Sequence, residues 1–328
     1  MSEDTKPYRY EAIALSNEST VVAEFLPDAL GVRETGYQSE AALEKAFIEQ
    51  LQLQAYEYLT ISSEVELVAN LRARLEQLNK IEFSDTEWQG FFATCIAGTN
   101  DGILEKTARL QEDHVQVLKR DDGSSKNIYL IDKANIHNNV LQVINQYETP
   151  TGEHGGKHAT RFDVTVLVNG LPMVHIELKR RGVDIREAFN QINRYQRDSF
   201  WAGCGLFEYV QLFVISNGTL TKYYSNTVRD GHLKEQSSKR SKSKTSNSFS
   251  FTSWWADATN RRITELDGFT KTFFAKHSLL NILTRYCVFD VDRKLLVMRP
   301  YQIVAAEQIL QRIATSTNHK QLGSLAAG

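Results

Sequence analysis

Three charged residues stand in segments that are otherwise apolar, and their types and spacing could support chemistry on a phosphate. Asp163 lies within RFDVTVLV (161–168), and Glu177 and Lys179 lie within PMVHIELK (172–179). Burying an unpaired charge is costly, so these charges need a role or a partner. Two carboxylates can hold a hard cation such as Mg²⁺, which stabilises charge on a phosphate and lowers the pKa of a bound water. Because side chains alternate along a strand, Lys179 shares the face of Glu177 and could orient that water.

The spacing of these three residues leaves two interpretations open. An acid followed later by acid-x-Lys also occurs by chance, and an ion-paired edge strand would explain the same charges. The alternative interpretation, a metal site, requires that Asp163 and Glu177 share one face of the sheet.

The turn between the two strands decides whether the acids can meet. Residues 169–170 are Asn-Gly, a strong hairpin signal. A strict two-residue loop would pair Val168 with Leu171 and place the two acids on opposite faces. We therefore expect a three-residue loop with Gly170 in a G1 bulge, so that Leu167 faces Leu171. In this register the numbers of two paired residues sum to an even number, and we call it the even register. The alternating apolar residues independently favour it, because a one-residue slip would expose one whole apolar set.

Apolar periodicity predicts the elements around these strands. Leu43, Phe47 and Leu51 recur every four residues after Ser39, a possible cap, and predict a helix over 38–54. By the same reasoning we expect helices at 65–79, 85–96 and 183–200, and further strands at 127–132, 139–148 and 210–216. Strands grouped around one crossover helix, with helices before them, predict an α/β domain with a mixed sheet.

Composition sets limits on the class of protein. The chain has 328 residues, of which 41% are hydrophobic and 24% charged, as in a folded soluble protein. The net charge is -2, so binding to nucleic acid would need a local basic surface. The three cysteines are far apart and suggest neither a disulfide framework nor a metal-ligand pair, which favours a reducing cytoplasm. No run of about 18 apolar residues occurs, so no membrane association is expected.

Longer motifs resemble a known group of enzymes. The run RFDVTVLVNGLPMVHIELKRRG (161–182), followed by a helix with Gln191 and Tyr195, resembles the PD-(D/E)xK nuclease superfamily in its RecB-like branch. Further segments resemble the endonuclease and motor (R) subunit of type I restriction enzymes, and the resemblance extends from about residue 37 to about residue 310. The segments are YQSEAALE (37–44), NIYLIDK (127–133), the stretch 145–195, LFVISNGT (212–219) and LLVMRPYQ (295–302).

The resemblance implies roles for the charged residues. Asp163 and Glu177 would bind Mg²⁺, with the Leu178 backbone carbonyl as a third ligand, and Lys179 would be the catalytic lysine. The residue before the aspartate is Phe162 rather than the proline of the superfamily name. Only the aspartate supplies chemistry, so this departure does not argue against activity.

Two further pairs of residues have both a functional and a structural interpretation. Gln191 and Tyr195 lie on one helix face and would position DNA or the site, although Tyr195 could also be simply core. Superfamily members often carry a glutamate on the first core helix near the metal, which makes Glu44 a candidate ligand. Glu40, one turn earlier, could serve instead, and either could be a solvated carboxylate. We assign no role to His175.

The end of the chain resembles the beginning of a motor. MRPYQIVAAEQIL (298–310) is similar to the segment before the first ATPase motif of superfamily 2 helicases, where a glutamine reads adenine. Gln302 would then bind the adenine of ATP, whereas an ordinary amphipathic helix is the alternative. No G-x-x-x-x-G-K-[ST] sequence follows, so we do not expect this chain to hydrolyse ATP.

These observations divide the chain into three expected parts. Residues 1–260 would form an endonuclease domain with a restriction-endonuclease-like mixed β-sheet flanked by helices. Residues 261–296 would be linker helices, and 297–328 the truncated start of the motor. The Ser- and Lys-rich segment 234–250 is expected to be a mobile surface loop.

The expected function is that of the Mg²⁺-dependent endonuclease part of a type I restriction enzyme. In the complete subunit, ATP-driven translocation would precede cleavage of double-stranded DNA, and the partners would be the methyltransferase (M) and specificity (S) subunits. Two alternatives remain open, namely a non-catalytic docking module of the restriction complex and a stand-alone DNA repair nuclease.

Overall fold

A mixed β-sheet lies at the centre of the fold. A computed structural model describes residues 19–26, 39–98, 100–149, 160–200, 202–227 and 251–325. The strands are β1 (Glu57–Tyr58), β2 (Val115–Lys119), β3 (Ser125–Tyr129), β4 (Leu141–Glu148), β5 (Arg161–Val168), β6 (Leu171–Leu178), β7 (Leu212–Ser216), β8 (Thr221–Ser225), β9 (Trp255–Ala256), β10 (Arg262–Ile263), β11 (Cys287–Phe289) and β12 (Leu295–Val297).

Helices precede, interrupt and follow these strands. They are α1 (Glu40–Leu53), α2 (Glu64–Asn79), α3 (Asp85–Phe91), α4 (Ile103–Gln111), α5 (Ile185–Asp198), α6 (Leu266–Thr272), α7 (Lys276–Arg285) and α8 (Pro300–Leu325).

The sheet combines parallel and antiparallel strands. Its order is β1-β4-β5-β6-β7-β8, with β1 parallel to β4 and β6 parallel to β7, while the other neighbours are antiparallel. The chain passes from β6 through α5 to β7, the crossover that parallel neighbours require. The predicted α/β class with a mixed, helix-flanked sheet is therefore confirmed.

The N-terminal helices begin where the sequence predicts. The Ser39 side chain accepts a hydrogen bond from the Ala42 N–H and caps α1. The Ser84 side chain accepts from the Glu87 N–H, and Glu87 accepts in return from the Ser84 N–H, which completes a capping box at α3. The helix predicted over 85–96 continues as a π-helical turn from Phe92 to Ile96.

Several strands depart from the prediction. The segment predicted as a strand at 127–132 contributes β3, which pairs with β2 in a separate hairpin and not with the central sheet. β8, which forms the edge of the central sheet beside β7, was not predicted, and neither were β1, β2 and β9 to β12. All five residues of β8 are buried, because elements pack on both of its faces.

The hairpin between β5 and β6 corrects the expected loop. Asn169 and Gly170 both have positive φ, 50° and 83°, and Val168 pairs with Leu171. The expected three-residue loop is therefore wrong, because the turn has two residues. The register shifts inside the hairpin, where Met173 forms a bulge. Beyond it the numbers of paired residues have an even sum, as expected, but Thr165 pairs with His175, which is offset by two residues from the register expected with Leu167 facing Leu171.

Contacts outside the hairpin fix this turn. Asn169 Oδ1 accepts from the Val140 N–H at 2.9 Å, and Asn169 Nδ2 donates to Asn139 Oδ1 at 2.8 Å. A Cβ atom on Gly170 would lie 2.6 Å from the Cα of Leu71 on α2. Helix α2 thus packs directly on the turn, and only glycine fits there.

Both faces of the sheet are covered. On one face Phe189 of α5 contacts Tyr224 of β8 at 5.5 Å between ring centroids. On the other, Phe273 lies 5.1 Å from Tyr223, the neighbouring residue of β8. Every residue of β6 is buried, including its polar ones.

The helices expected to link two domains share the main core. Phe269 and Phe274 of this segment are fully buried, and Phe274 contacts Phe47 of α1 at 5.4 Å. The division at residues 260 and 296 stays a prediction. The expected mobile loop at 234–250 lies outside the described residues. None of the described helices is both long and apolar enough to cross a membrane.

Candidate active site

Asp163 lies near the start of β5, where its side chain reaches across to β6. Its Oδ2 accepts a hydrogen bond from the backbone N–H of Leu178 at 2.9 Å. This contact joins the two strands beyond the last pair of their ladder, Val164 with Ile176. The bulge at Met173 sets this register, so the contact depends on it.

Glu177 is fully buried and only half satisfied. Its Oε1 accepts from Lys179 Nζ at 3.0 Å. Among the described residues no basic or backbone donor reaches its Oε2, although His175 Nε2 lies 3.6 Å away. An unsatisfied buried carboxylate oxygen is costly, so its retention indicates a ligand or a functional role.

Lys179 follows directly after β6 and bridges two acceptors. Besides Glu177, its Nζ donates to the backbone carbonyl of Leu178 at 3.0 Å. Burial lowers the pKa of the Lys179 ammonium, but the nearby Glu177 and Asp163 carboxylates raise it by more than burial lowers it, so the net shift is upward. The ammonium therefore stays charged across the physiological pH range.

Burial opposes the ionisation of both carboxylates. Burial, and secondly the charge of Glu177, raise the pKa of Asp163 to about 7. Burial also raises the pKa of Glu177 to about 7, although the charge of Lys179 and hydrogen bonds with Lys179 and Asp163 act in the opposite direction. Two acids that resist ionisation side by side can both ionise when a cation lies between them.

The donor set fits a hard divalent cation. Asp163, Glu177 and the Leu178 carbonyl offer oxygen atoms, which Mg²⁺ prefers. The Leu178 carbonyl already accepts from Lys179, which leaves it one lone pair. Within the described ranges, no three His, Cys, Asp or Glu side chains come together as metal ligands. A cation here would therefore need water to complete its coordination.

The two candidate glutamates of α1 interact electrostatically with different residues of this site, Glu44 with Asp163 and Glu40 with Glu177 and Lys179. Glu44 is half-buried and accepts from the side chains of Asn145 and Gln146. Burial raises the pKa of Glu44, and the Asp163 carboxylate adds to the increase. Glu40 is exposed and accepts from the Arg180 N–H at 3.4 Å. Glu44 is thus the neighbour of Asp163, although it does not join Asp163 and Glu177 in a three-ligand cluster.

The Gln191–Tyr195 pair supports the start of β5. Gln191 Nε2 donates to the Tyr195 hydroxyl, which donates in turn to the Arg161 carbonyl at 3.1 Å. The Tyr195 ring is buried and lies 5.1 Å from the ring of Phe162. These contacts place Tyr195 in the core, where it binds Arg161, which precedes Asp163 by two residues in the chain. Gln191 is partly exposed.

The side chain of Gln302 makes a hydrogen bond at the beginning of α8. Its side-chain oxygen accepts from the Arg299 N–H at 2.8 Å, while the Arg299 carbonyl accepts from the N–H groups of Gln302 and Ile303. This arrangement is a helix-start contact. The proposed binding of adenine stays a prediction.

Three further polar residues at the site were not assigned a role from the sequence. His175 contacts Glu177, and burial lowers the pKa of His175 to about 4, so its ring is neutral at pH 7. Asn145 and Gln146 bind Glu44. The alternation of the strand could have placed His175 beside Glu177, whereas no local signal links β4 to α1.

Comparison with known proteins shows which sequences this chain is similar to. Residues 37–232 match the family described as "Type I restriction enzyme R protein N terminus". The chain is 47% identical over 323 residues to the type I restriction enzyme EcoprrI endonuclease subunit of Escherichia coli, which covers 98% of this chain and 95% of that protein. It is 38% identical over 289 residues to the SsaAORF53P endonuclease subunit of Staphylococcus saprophyticus and 36% identical to the SauMSSORF170P endonuclease subunit of Staphylococcus aureus.

The matches differ in how much of each relative they include. The two staphylococcal alignments cover 86% of this chain but 28% of the relatives, so the chain spans less than a third of their length. The family match covers well over half of the chain and includes Asp163, Glu177 and Lys179. By its sequence, the chain belongs to the family of type I restriction enzyme R proteins, in the region that forms their N terminus.

Proposed function

We propose that this chain is the endonuclease region of a type I restriction enzyme and acts as a type I site-specific deoxyribonuclease. The reaction is Mg²⁺-dependent hydrolysis of phosphodiester bonds in double-stranded DNA. In the complete subunit, cleavage follows ATP-driven translocation by a motor. The partners are the methyltransferase and specificity subunits, in the cytoplasm.

One observation carries this proposal. The Oε2 of Glu177 is fully buried and receives no hydrogen bond from a basic or backbone donor of the described residues, and burial together with the second carboxylate raises the pKa of Asp163. A structural ion pair would use one acid and one base. A second buried acid beside the first is costly to a fold, but it suits a cation site.

Each residue has a distinct part in the proposed reaction. Asp163 and Glu177 hold Mg²⁺, with the Leu178 carbonyl as a further oxygen ligand. The metal supplies Lewis acidity to the phosphate and lowers the pKa of water. The Leu178 N–H fixes the Asp163 carboxylate through a 2.9 Å bond. The Lys179 ammonium orients Glu177 and offers positive charge to the phosphate.

Plasmid cleavage tests the proposal directly. The chain, extended to include a motor and assembled with its partner subunits, should cut DNA in the presence of Mg²⁺ and ATP. Asp163→Ala, Glu177→Ala and Lys179→Ala should each abolish cleavage while ATP hydrolysis by the motor continues. Cleavage that persists in Glu177→Ala would refute the assignment. Loss of cleavage together with loss of assembly would favour a docking role.

A further inference from the structure

Gln146 has an unusual backbone conformation within β4. Its φ is 54°, in the left-handed region, and the residues on either side still pair with β5. The other described non-glycine residues with positive φ lie at turns or helix ends, namely Ala55, Lys80, Asn169, Asn260 and Arg293. A left-handed L-residue costs about 1–2 kcal/mol. A contact or a function should offset this cost.

The strained residue lets two successive side chains reach one carboxylate. Neighbouring residues of a regular strand point to opposite faces, so they cannot both contact the same group. Here Asn145 Nδ2 donates to Glu44 Oε1 at 2.5 Å, and Gln146 Nε2 donates to Glu44 Oε2 at 2.6 Å. We call these two side chains the amide clamp.

The amide clamp lies next to Asp163. Asn145 pairs with Val164 and Tyr147 with Phe162, so Gln146 stands across from Asp163 between these two pairs. The charge of Asp163 also acts on the Glu44 carboxylate. Neutral amides fix the direction of a carboxylate and leave its negative charge in place. A lysine or arginine in the same position would neutralise that charge.

We propose that Asn145 and Gln146 are positioning residues that hold Glu44 beside Asp163, where Glu44 accepts hydrogen bonds from water around a divalent cation. This inference rests on the proposed function, because the cation is the one held by Asp163 and Glu177. Glu44 acts through water because the three acids do not converge as direct ligands. Groups beyond the direct ligands often change metal affinity by about 10- to 100-fold.

Mn²⁺ titration of the 328-residue chain, followed by calorimetry, tests the clamp without cleavage. Gln146→Gly keeps the left-handed backbone but removes the amide, so Mn²⁺ affinity should fall by about tenfold. Its resistance to urea should not fall, because glycine relieves the strain. Lys80→Gly is the matched control, since Lys80 is exposed and has φ 51° at the end of α2, and it should leave the affinity unchanged. Asn145→Ala leaves the backbone alone and should also weaken binding.

A double-mutant cycle ties the clamp to Glu44. If Gln146 acts through Glu44, Glu44→Ala with Gln146→Gly should bind Mn²⁺ no more weakly than Glu44→Ala alone. Additive losses, or unchanged affinity in both clamp variants, would overturn the inference. Asp163→Ala separates the two proposals. If it keeps wild-type affinity, the proposed function fails and this inference falls with it. If it loses affinity but the clamp variants do not, only the clamp is wrong.

Discussion

Replacing Asp163 by asparagine should make the metal-free protein more stable. Asparagine keeps a side-chain oxygen that can accept from the Leu178 N–H, as the aspartate does at 2.9 Å. It removes a charge that the folded state disfavours, because burial and the Glu177 carboxylate raise the pKa of Asp163 to about 7. The substitution therefore separates the structural contact from the charge.

The size and pH dependence of the effect follow from the pKa. A rise from the ordinary value of 3.8 to about 7 corresponds to at most about 4 kcal/mol, at about 1.4 kcal/mol per pKa unit. The titration of Asp163 is coupled to that of Glu177, and the buried side-chain amide of the asparagine also needs hydrogen-bond partners. We therefore expect the free energy of unfolding to rise by about 1–3 kcal/mol. A raised pKa of an acid gives stability that is complete below the unfolded value and is lost as pH rises through the folded value. The advantage of Asp163→Asn should thus be small at pH 4, grow up to pH 7 and level off above it.

Urea unfolding in EDTA at pH 5, 6, 7 and 8 measures this difference. Asp292→Asn is the control, because it changes the net charge equally on a side chain that is 70% exposed. Added Mn²⁺ should stabilise the wild type more than Asp163→Asn and so narrow or reverse the difference. An asparagine variant that is no more stable than wild type at pH 8, or whose advantage does not depend on pH, would refute the reasoning.

Three more results are expected from other parts of the structure. Gly170→Ala should lower the unfolding free energy by at least about 2 kcal/mol, because it combines a positive φ with a close approach to α2. Gly123→Ala, with φ 82° but open space around it, should cost less in the same urea experiment. Gln302→Ala should destabilise the start of α8 by about 1 kcal/mol, measured by faster amide hydrogen exchange in its first turn, and unchanged exchange would argue against the Arg299 contact. A contaminant-free preparation should show no ATPase activity above background in a phosphate-release assay, because the sequence has no phosphate-cradling loop, and a measurable rate would contradict this.

The sequence predicts much of the sheet because its central strands are apolar and bounded by turn residues. β5 and β6 agree with their predicted ranges to within one residue. β8 was missed because TKYYS carries polar residues in a fully buried strand, so neither alternation nor a continuous apolar run marks it. Its burial depends on packing from both faces, which a local pattern does not reveal.

Some residues of the candidate site can likewise be predicted from the local sequence, whereas others depend on contacts between distant parts of the chain. The types of Asp163, Glu177 and Lys179, with their positions in apolar strands, are visible in the sequence. The amide clamp is not visible, because Asn145 and Glu44 are separated by 101 residues. In addition, Gln146 needs a positive φ, which its residue type does not predict. Charged residues in strands are therefore easier to predict than the neutral side chains that orient them.

The β5–β6 hairpin shows how packing and chemistry can impose different requirements on one element. The tight turn is fixed by Asn139, Val140 and α2, and left alone it would place the two acids on opposite faces. The bulge at Met173 restores the even register after two pairs, so Thr165 meets His175 and the Asp163 carboxylate reaches the Leu178 N–H. A bulge inserts one residue and changes the parity of everything beyond it. The turn is thus determined by its surroundings and the site by the bulge, which explains why the parity was predicted correctly and the loop was not.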